Sequence, residues 1–221
     1  MKLIRSAACK FLSGLAATAV LLFLPAGTWH YPGAWLFAAL MFLPMLGFGV
    51  FLYLKAPELL EKRLNTRETE PGQKIVVLLA SLVFAGAFVL AALDFRGGWT
   101  VVPVRLRVAA AVVMLVSYGL YMEVMRENAY LSRTVEIQAG QKVIDTGLYG
   151  IVRHPMYTAT IFLFLSIPQV LGSWLSFGMF ALYPGVIVLR IRGEEAALEK
   201  GLDGYREYQQ KVKYRLIPYI W

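Results

Sequence analysis

Apolar residues in this chain are gathered into long blocks, and the length of those blocks decides what the chain can become. Residues 33–54, 75–93 and 104–125 are runs with few or no interior charges. Each is long enough to cross a bilayer core as a helix, which takes about 17–25 residues. The run 11–24 reaches that length when extended to residues 8–26, and two shorter runs, 157–171 and 174–191, close the series. Backbone groups in hydrocarbon have no water to bond, so such runs predict helices and not irregular chain. The expected fold is all-α: a polytopic membrane protein of six transmembrane helices, the last two a short helical hairpin. Only 16% of the residues are charged, against about a quarter in a soluble domain. Lys2 and Arg5 before an apolar stretch imitate a signal peptide, but more spans follow in place of a clear cleavage site. The stretch is therefore read as the first helix.

The charges are placed unevenly. With a cytoplasmic N-terminus, nineteen of the 22 Lys and Arg fall inside, leaving only Arg96, Arg105 and Arg107 outside. The positive-inside rule then puts both termini in the cytoplasm. The net charge of +8 is accordingly a topology signal and an attraction to anionic lipid headgroups, with no nucleic-acid partner implied. Trp29, His30 and Tyr31 suit an interfacial belt. Cys9 is the single cysteine, which excludes an intramolecular disulfide. With only His30 and His154 beside it, no metal site is expected.

Two regions follow from this pattern: residues 1–125, holding spans one to four, and residues 126–221, holding the features that suggest chemistry. Residues 55–73 read as a short surface helix ending in a turn at Pro71-Gly72. The 31 residues from 126 to 156 are too many for a simple connector, and long ordered loops tend to carry function. Within them Val135-Glu136-Ile137-Gln138 alternates, and Ala139-Gly140 and Thr146-Gly147 mark turns. The tail from 192 continues the last span to about Lys200 and resumes as helix after Gly201 and Gly204.

The densest motif is Gly147-Leu148-Tyr149-Gly150-Ile151-Val152-Arg153-His154-Pro155-Met156-Tyr157, directly before the fifth span. Pro155 suits a first helical turn, where its missing N–H costs nothing, and it disfavours helical geometry at His154. The helix should begin there, presenting free N–H groups and partial positive charge to an anion. Arg153 adds a planar donor for a carboxylate or phosphate. The same residues would also serve as a juxtamembrane cap with Arg153 at a headgroup. A second element, Arg190-Ile191-Arg192-Gly193-Glu194-Glu195, ends the sixth span, with Arg190 and Glu194 on one helix face. Alone it reads equally as a surface ion pair of little energetic weight. The short connection around Gly172-Ser173 folds spans five and six into a hairpin, which brings both elements to one membrane face. Pro184, inside span six, should kink it.

These residues resemble a known family. Gly147-x-Tyr149-x-x-x-Arg153-His154-Pro155-x-Tyr157, then Arg190-x-x-x-Glu194-Glu195-x-x-Leu198, then Gly204-Tyr205-x-x-Tyr208 and Arg215-Leu216-Ile217-Pro218 are similar to the isoprenylcysteine carboxyl methyltransferase and phospholipid methyltransferase group. The similarity covers residues 120–221. It implies S-adenosyl-L-methionine as cofactor, held in a cytoplasmic pocket without a Rossmann fold. Gln141, Lys142, Val143, Ile144, Tyr149, Arg153, His154, Pro155, Met156, Tyr157, Glu194 and Glu195 would bind it. Glu194 would face its cationic portion, and Arg190, on the acceptor side, would join Glu194 in catalysis. The implied partner is a lipid-like or prenylated small-molecule acceptor within membrane lipids, and the compact chain suggests a bacterial inner membrane. Members that methylate prenylcysteine commonly carry His at the position of Gln141. Alternatives are phospholipid N-methylation, an NADPH-dependent sterol-reductase-like enzyme, and a non-enzymatic scaffold or transporter.

Overall fold

A computed structural model describes residues 2–65, 68, 70–134 and 137–221. Val135 and Glu136 of the alternating stretch lie outside the described residues. Nine α-helices are formed among those described: α1 (Lys2–Ala26), α2 (Pro32–Lys55), α3 (Pro57–Leu64), α4 (Pro71–Gly97), α5 (Val104–Glu127), α6 (Pro155–Leu171), α7 (Trp174–Phe180), α8 (Tyr183–Gly201) and α9 (Tyr205–Lys211). A one-turn 3₁₀ helix spans Gly147–Gly150. Helices α1, α2, α4 and α5 are each long and apolar enough to cross a membrane, and so is the segment Trp174–Gly201. Helix α6 is a shorter apolar helix of 17 residues, about 25 Å at the helical rise. The polytopic all-α architecture is thus as the hydropathy dictates, and α3 is the expected surface helix.

The last two passes differ from expectation in one respect. The sixth pass is broken at Ala181 and Leu182, so Pro184 lies in the first turn of α8 and does not kink a continuous helix. A first turn tolerates proline because that N–H has no intrahelical partner. The two passes do pack as a hairpin, with Phe164 against the Tyr183 ring and Tyr157 bonded to Glu194. Helix α6 packs most extensively against α5, while α4 packs on α7 and α8. The turn between α6 and α7 is sharp: Gly172 takes φ +90° and both Gly172 and Ser173 donate to the carbonyl of Pro168. A left-handed residue here closes the helix end, which glycine does without steric cost.

One end of the bundle carries a polar knot. Asp94, near the end of α4, is 1% exposed and accepts bonds from the Thr100 N–H (2.7 Å) and from the hydroxyls of Thr100 and Ser173. Tyr31 stacks on Phe95 and donates to the carbonyl of Leu171 at 3.0 Å. Together these fasten α2, α4 and the α6–α7 turn. The core beneath is apolar, with Leu22, Phe37, Met114, Ile167 and Phe180 almost wholly buried. The opposite end gathers α3, the loop 128–150 and α9. It is the basic end of the molecule.

Candidate functional site

At the basic end, the start of α6 is fixed by backbone bonds before any side chain acts. The N–H groups of Arg153 and His154 donate to the carbonyls of Tyr214 and Arg215, each at 2.9 Å. Thr158 donates to the carbonyl of Leu216 at 2.7 Å. The C-terminal tail is therefore laid along the entry to α6, and His154 is the residue before the first helical turn. Pro155 stands in that turn, as its fixed φ favours.

Glu195 joins the tail to the bundle. Its carboxylate takes a bond from Arg153 Nε at 2.8 Å and from Arg215 Nε at 2.8 Å, and lies 3.2 Å from His154 Nε2. Arg153 also donates through Nη1 to the carbonyls of Val212 (2.7 Å) and Lys213 (3.0 Å). Both side chains are 5% exposed. Buried charges persist only when paired and hydrogen-bonded, and this pair is held by Arg215, His154 and two tail carbonyls. Glu195 is absent from the cavity described next, as is Pro155.

That cavity opens beside the pair and has about 890 Å³ of empty space, counting its mouth. Its wall brings together Gln141, Lys142, Val143, Ile144, Tyr149, Arg153, His154, Met156, Tyr157, Arg190 and Glu194 from the residues singled out in the sequence. Two glycines of the loop make the wall possible. Gly140 (φ +71°) turns the chain after Gln138, whose N–H donates to the Gln141 side chain at 2.9 Å. Gly147 (φ +55°) lies against the Glu127 carboxylate, which accepts from the Leu148 N–H at 2.9 Å; a Cβ at Gly147 would overlap that carboxylate.

Around Arg190 the polar groups form a chain. Tyr157 donates to Glu194 at 2.6 Å and accepts from Arg190 Nε at 3.4 Å. Arg190 Nη1 bonds Glu68 and Gln73, each at 2.8 Å, and Nη2 donates to the carbonyl of Arg133 at 2.9 Å. Arg190 is thus held by α4 and by the connection before it. Glu194 lines the cavity and is only partly buried.

Tyr205 is a wall residue that spacing alone gave no role. It is 4% exposed, lines the cavity, and its hydroxyl has no partner among the described residues. Burial pushes its phenol well above the ordinary tyrosine range, so it remains a neutral donor. Tyr149 and Tyr208 are raised by the same cause, but each is bonded: Asn128 donates to the Tyr149 hydroxyl (3.1 Å) and Tyr208 to the Tyr149 carbonyl (2.7 Å). An unpartnered buried hydroxyl costs about 1–3 kcal/mol, so its presence on a cavity wall points to a ligand. Leu198 and Leu202 complete an apolar side.

The fold defines a polytopic helical membrane protein with a cavity at its basic end. The model of the isoprenylcysteine carboxyl methyltransferase (ICMT) family matches residues 108–200, from within α5 to the end of α8. That segment holds α6, the loop and most of the cavity wall. The chain is also 31% identical over 91 residues to Delta(14)-sterol reductase of Mus musculus, and 27% identical over 92 residues to the uncharacterised protein YpbQ of Bacillus subtilis. The matched segments cover 40% and 41% of this chain but 22% and 55% of those proteins, so the chain spans about half or less of the relatives it matches.

Proposed function

We propose that this protein transfers a methyl group from S-adenosyl-L-methionine to a lipid-like acceptor, with the basic end facing the cytoplasm. The observation that carries the reading is the composition of the cavity wall: a half-free carboxylate at Glu194, an unpartnered hydroxyl at Tyr205, and aromatic and aliphatic faces around them. These residues fit the cofactor's parts. Glu194 is an acceptor for its cationic portion, Tyr205 and Lys142 are donors, and Val143, Ile144, Leu198 and Leu202 are an apolar bed.

The cofactor supplies an electrophilic methyl group on a positively charged sulfur. The chain supplies placement. Tyr157 fixes the Glu194 carboxylate, and Arg153 and His154, tied to Glu195, hold the α6 entry rigid. Arg190, bonded to Glu68, Gln73 and the Arg133 carbonyl, holds the Tyr157 hydroxyl that in turn fixes Glu194. Orientation of two reactants can contribute about 7–11 kcal/mol to a barrier, which suits a site rich in positioning contacts. An ionised oxygen acceptor needs no general base; oxygen and nitrogen acceptors both fit this scheme, an isoprenylcysteine-type carboxylate among the first and a phospholipid amine among the second.

The similarity to a sterol reductase motivates a second reading, with NADPH in the same cavity. Phosphates need free cationic donors. Arg190 has all its nitrogens engaged, and Arg153 two of its three, which leaves Lys142 and one Arg153 nitrogen on the wall for several phosphates. The geometry therefore supports the methyl donor better. Fluorescence competition decides between them: S-adenosylhomocysteine should bind saturably and NADPH should not displace it at equal concentration. Displacement by NADPH would reverse the assignment.

A further inference from the structure

The tail that ties down the entry to α6 ends in a turn that the cavity does not use. The Ile220 N–H donates to the carbonyl of Ile217 at 3.1 Å, with Pro218 and Tyr219 between them. Proline suits the second position of such a turn, and Tyr219, at the third, takes φ +66°. That is the type II pattern, whose third position favours glycine. The chain sets a large aromatic in this strained place and then leaves it outside. Tyr219 is 88% exposed, Ile220 76% and Ile217 40%. The base of the turn is nonetheless fixed. The N–H groups of Arg215, Leu216 and Ile217 donate to the carbonyl of Trp221 at 2.9, 2.8 and 3.1 Å. Leu216 is buried with Val76 of α4, Tyr157 of α6 and Ile187 of α8, and Trp221 packs on the same cluster.

The position of the turn says what covers it. Thr158, which bonds the Leu216 carbonyl, is in the first turn of α6. One turn further along that apolar helix, Phe162 is exposed. On α4, Val76 touches the Leu216 cluster, and its neighbours Ile75 and Val77 are exposed. Both surfaces meet acyl chains once these helices span a bilayer, so the turn stands at the rim of the apolar belt. Exposed lysines adjoin it, Lys213 in the tail and Lys74 beside Ile75. Tyrosine and tryptophan next to lysine are the side chains that suit a membrane interface, rings among headgroups and ammonium groups at phosphates.

We propose that the turn 217–220 is an interfacial membrane anchor. The side chains of Ile217, Tyr219 and Ile220 enter the headgroup region of the leaflet at the basic end, and their immersion fastens the tail on which the entry to α6 hangs. Burying apolar side chains at the headgroup boundary is what holds interfacial segments to membranes. The coupling follows from the bonds already described. Arg153 and His154 donate their N–H groups to the carbonyls of Tyr214 and Arg215, directly before the turn. A tail held by lipid at its far side cannot peel away from those donors, and both residues stand on the cavity wall. The anchor works in this way whatever the cavity binds.

The test uses the whole protein in phosphatidylcholine nanodiscs, with Cys9→Ala and bimane on Tyr219→Cys. The control carries bimane on Asp203→Cys, an exposed position between α8 and α9. Phosphatidylcholine bearing doxyl near its headgroup should quench the label at 219 at least threefold more than at 203, and iodide in the buffer at least threefold less. Equal responses at the two positions would place the turn in water and overturn the proposal. Shielding from iodide without doxyl quenching would mean cover by another protein chain, and would overturn it too. Hydrogen exchange reads the coupling, because it reports local opening. With Ile217→Ser, Tyr219→Ser and Ile220→Ser combined, peptides covering Arg153 and His154 should exchange at least tenfold faster in nanodiscs, while those covering Met114 in the core keep the parent rate. Unchanged exchange at Arg153 and His154 would overturn the coupling. Should the core also lose protection, Tyr219→Ser alone is read in the same way, with a faster rate at Arg153 and His154 expected and the parent rate contradicting it.

Discussion

Glu194 and Glu195 are neighbours in sequence with opposite surroundings, and the helical repeat is the reason. One step along α8 turns a side chain by about 100°, so Glu194 reaches the cavity and Glu195 turns to Arg153, His154 and Arg215. Removing one partner of a buried pair costs about 3–5 kcal/mol. Glu195→Ala should therefore lower the unfolding temperature markedly in a detergent-stable thermal assay. Glu194→Gln should leave that temperature near the parent value while weakening S-adenosylhomocysteine at least tenfold. Tyr205→Phe gives the sharpest contrast of sign. Deleting a buried hydroxyl that has no partner should raise the stability of the ligand-free protein by about 1 kcal/mol. It should at the same time weaken the ligand several-fold. A stability loss would place the hydroxyl's partner inside the protein.

Among the elements, the C-terminal tail matters more than its length suggests. Its carbonyls at Val212, Lys213, Tyr214, Arg215 and Leu216 accept from Arg153, His154 and Thr158, and Arg215 lies over the Trp221 ring. Truncation after Lys211 should strip those partners and leave Arg153 and Glu195 partly unpaired. The expected result is loss of S-adenosylhomocysteine binding together with protease sensitivity at residues 145–155; a truncated protein that still binds would contradict the role given to the tail. At the loop, Gly147→Ala should destabilise by more than the roughly 1 kcal/mol of a left-handed residue, because the Glu127 carboxylate fills the space; Glu127→Ala in the same chain should recover part of the loss in a thermal unfolding comparison.

These elements divide by how they were legible in the sequence. The start of α6 at Pro155, the turn at Gly172 and the helix after Gly204 are set by local rules of proline and glycine, and the structure has them there. The turn that breaks the sixth pass before Pro184 looks like a kink in sequence, because a proline at a helix start and one inside a helix differ only in what precedes them. Pairings such as Arg153 with Glu195 and Arg190 with Glu68 are 42 and 122 residues apart. No periodicity encodes them; they follow from which helices pack together. The same is true of Tyr205, whose significance lies in the partner it lacks.

Over the whole molecule the two ends have separate tasks. The knot of Asp94, Thr100, Ser173 and Tyr31 fastens the helices at one end, and the other end is left with cavities between them. The ICMT family match runs through this second end, and helices α1, α2, α4 and α5 are recognisable from hydropathy alone. The central claim is that the cavity at the basic end holds S-adenosyl-L-methionine through Glu194. Calorimetric titration of the purified wild-type protein with S-adenosylhomocysteine tests it most directly. One-site saturable binding, lost in Glu194→Ala while the unfolding temperature stays unchanged, is the predicted result; a folded wild-type protein that takes up no S-adenosylhomocysteine would contradict it.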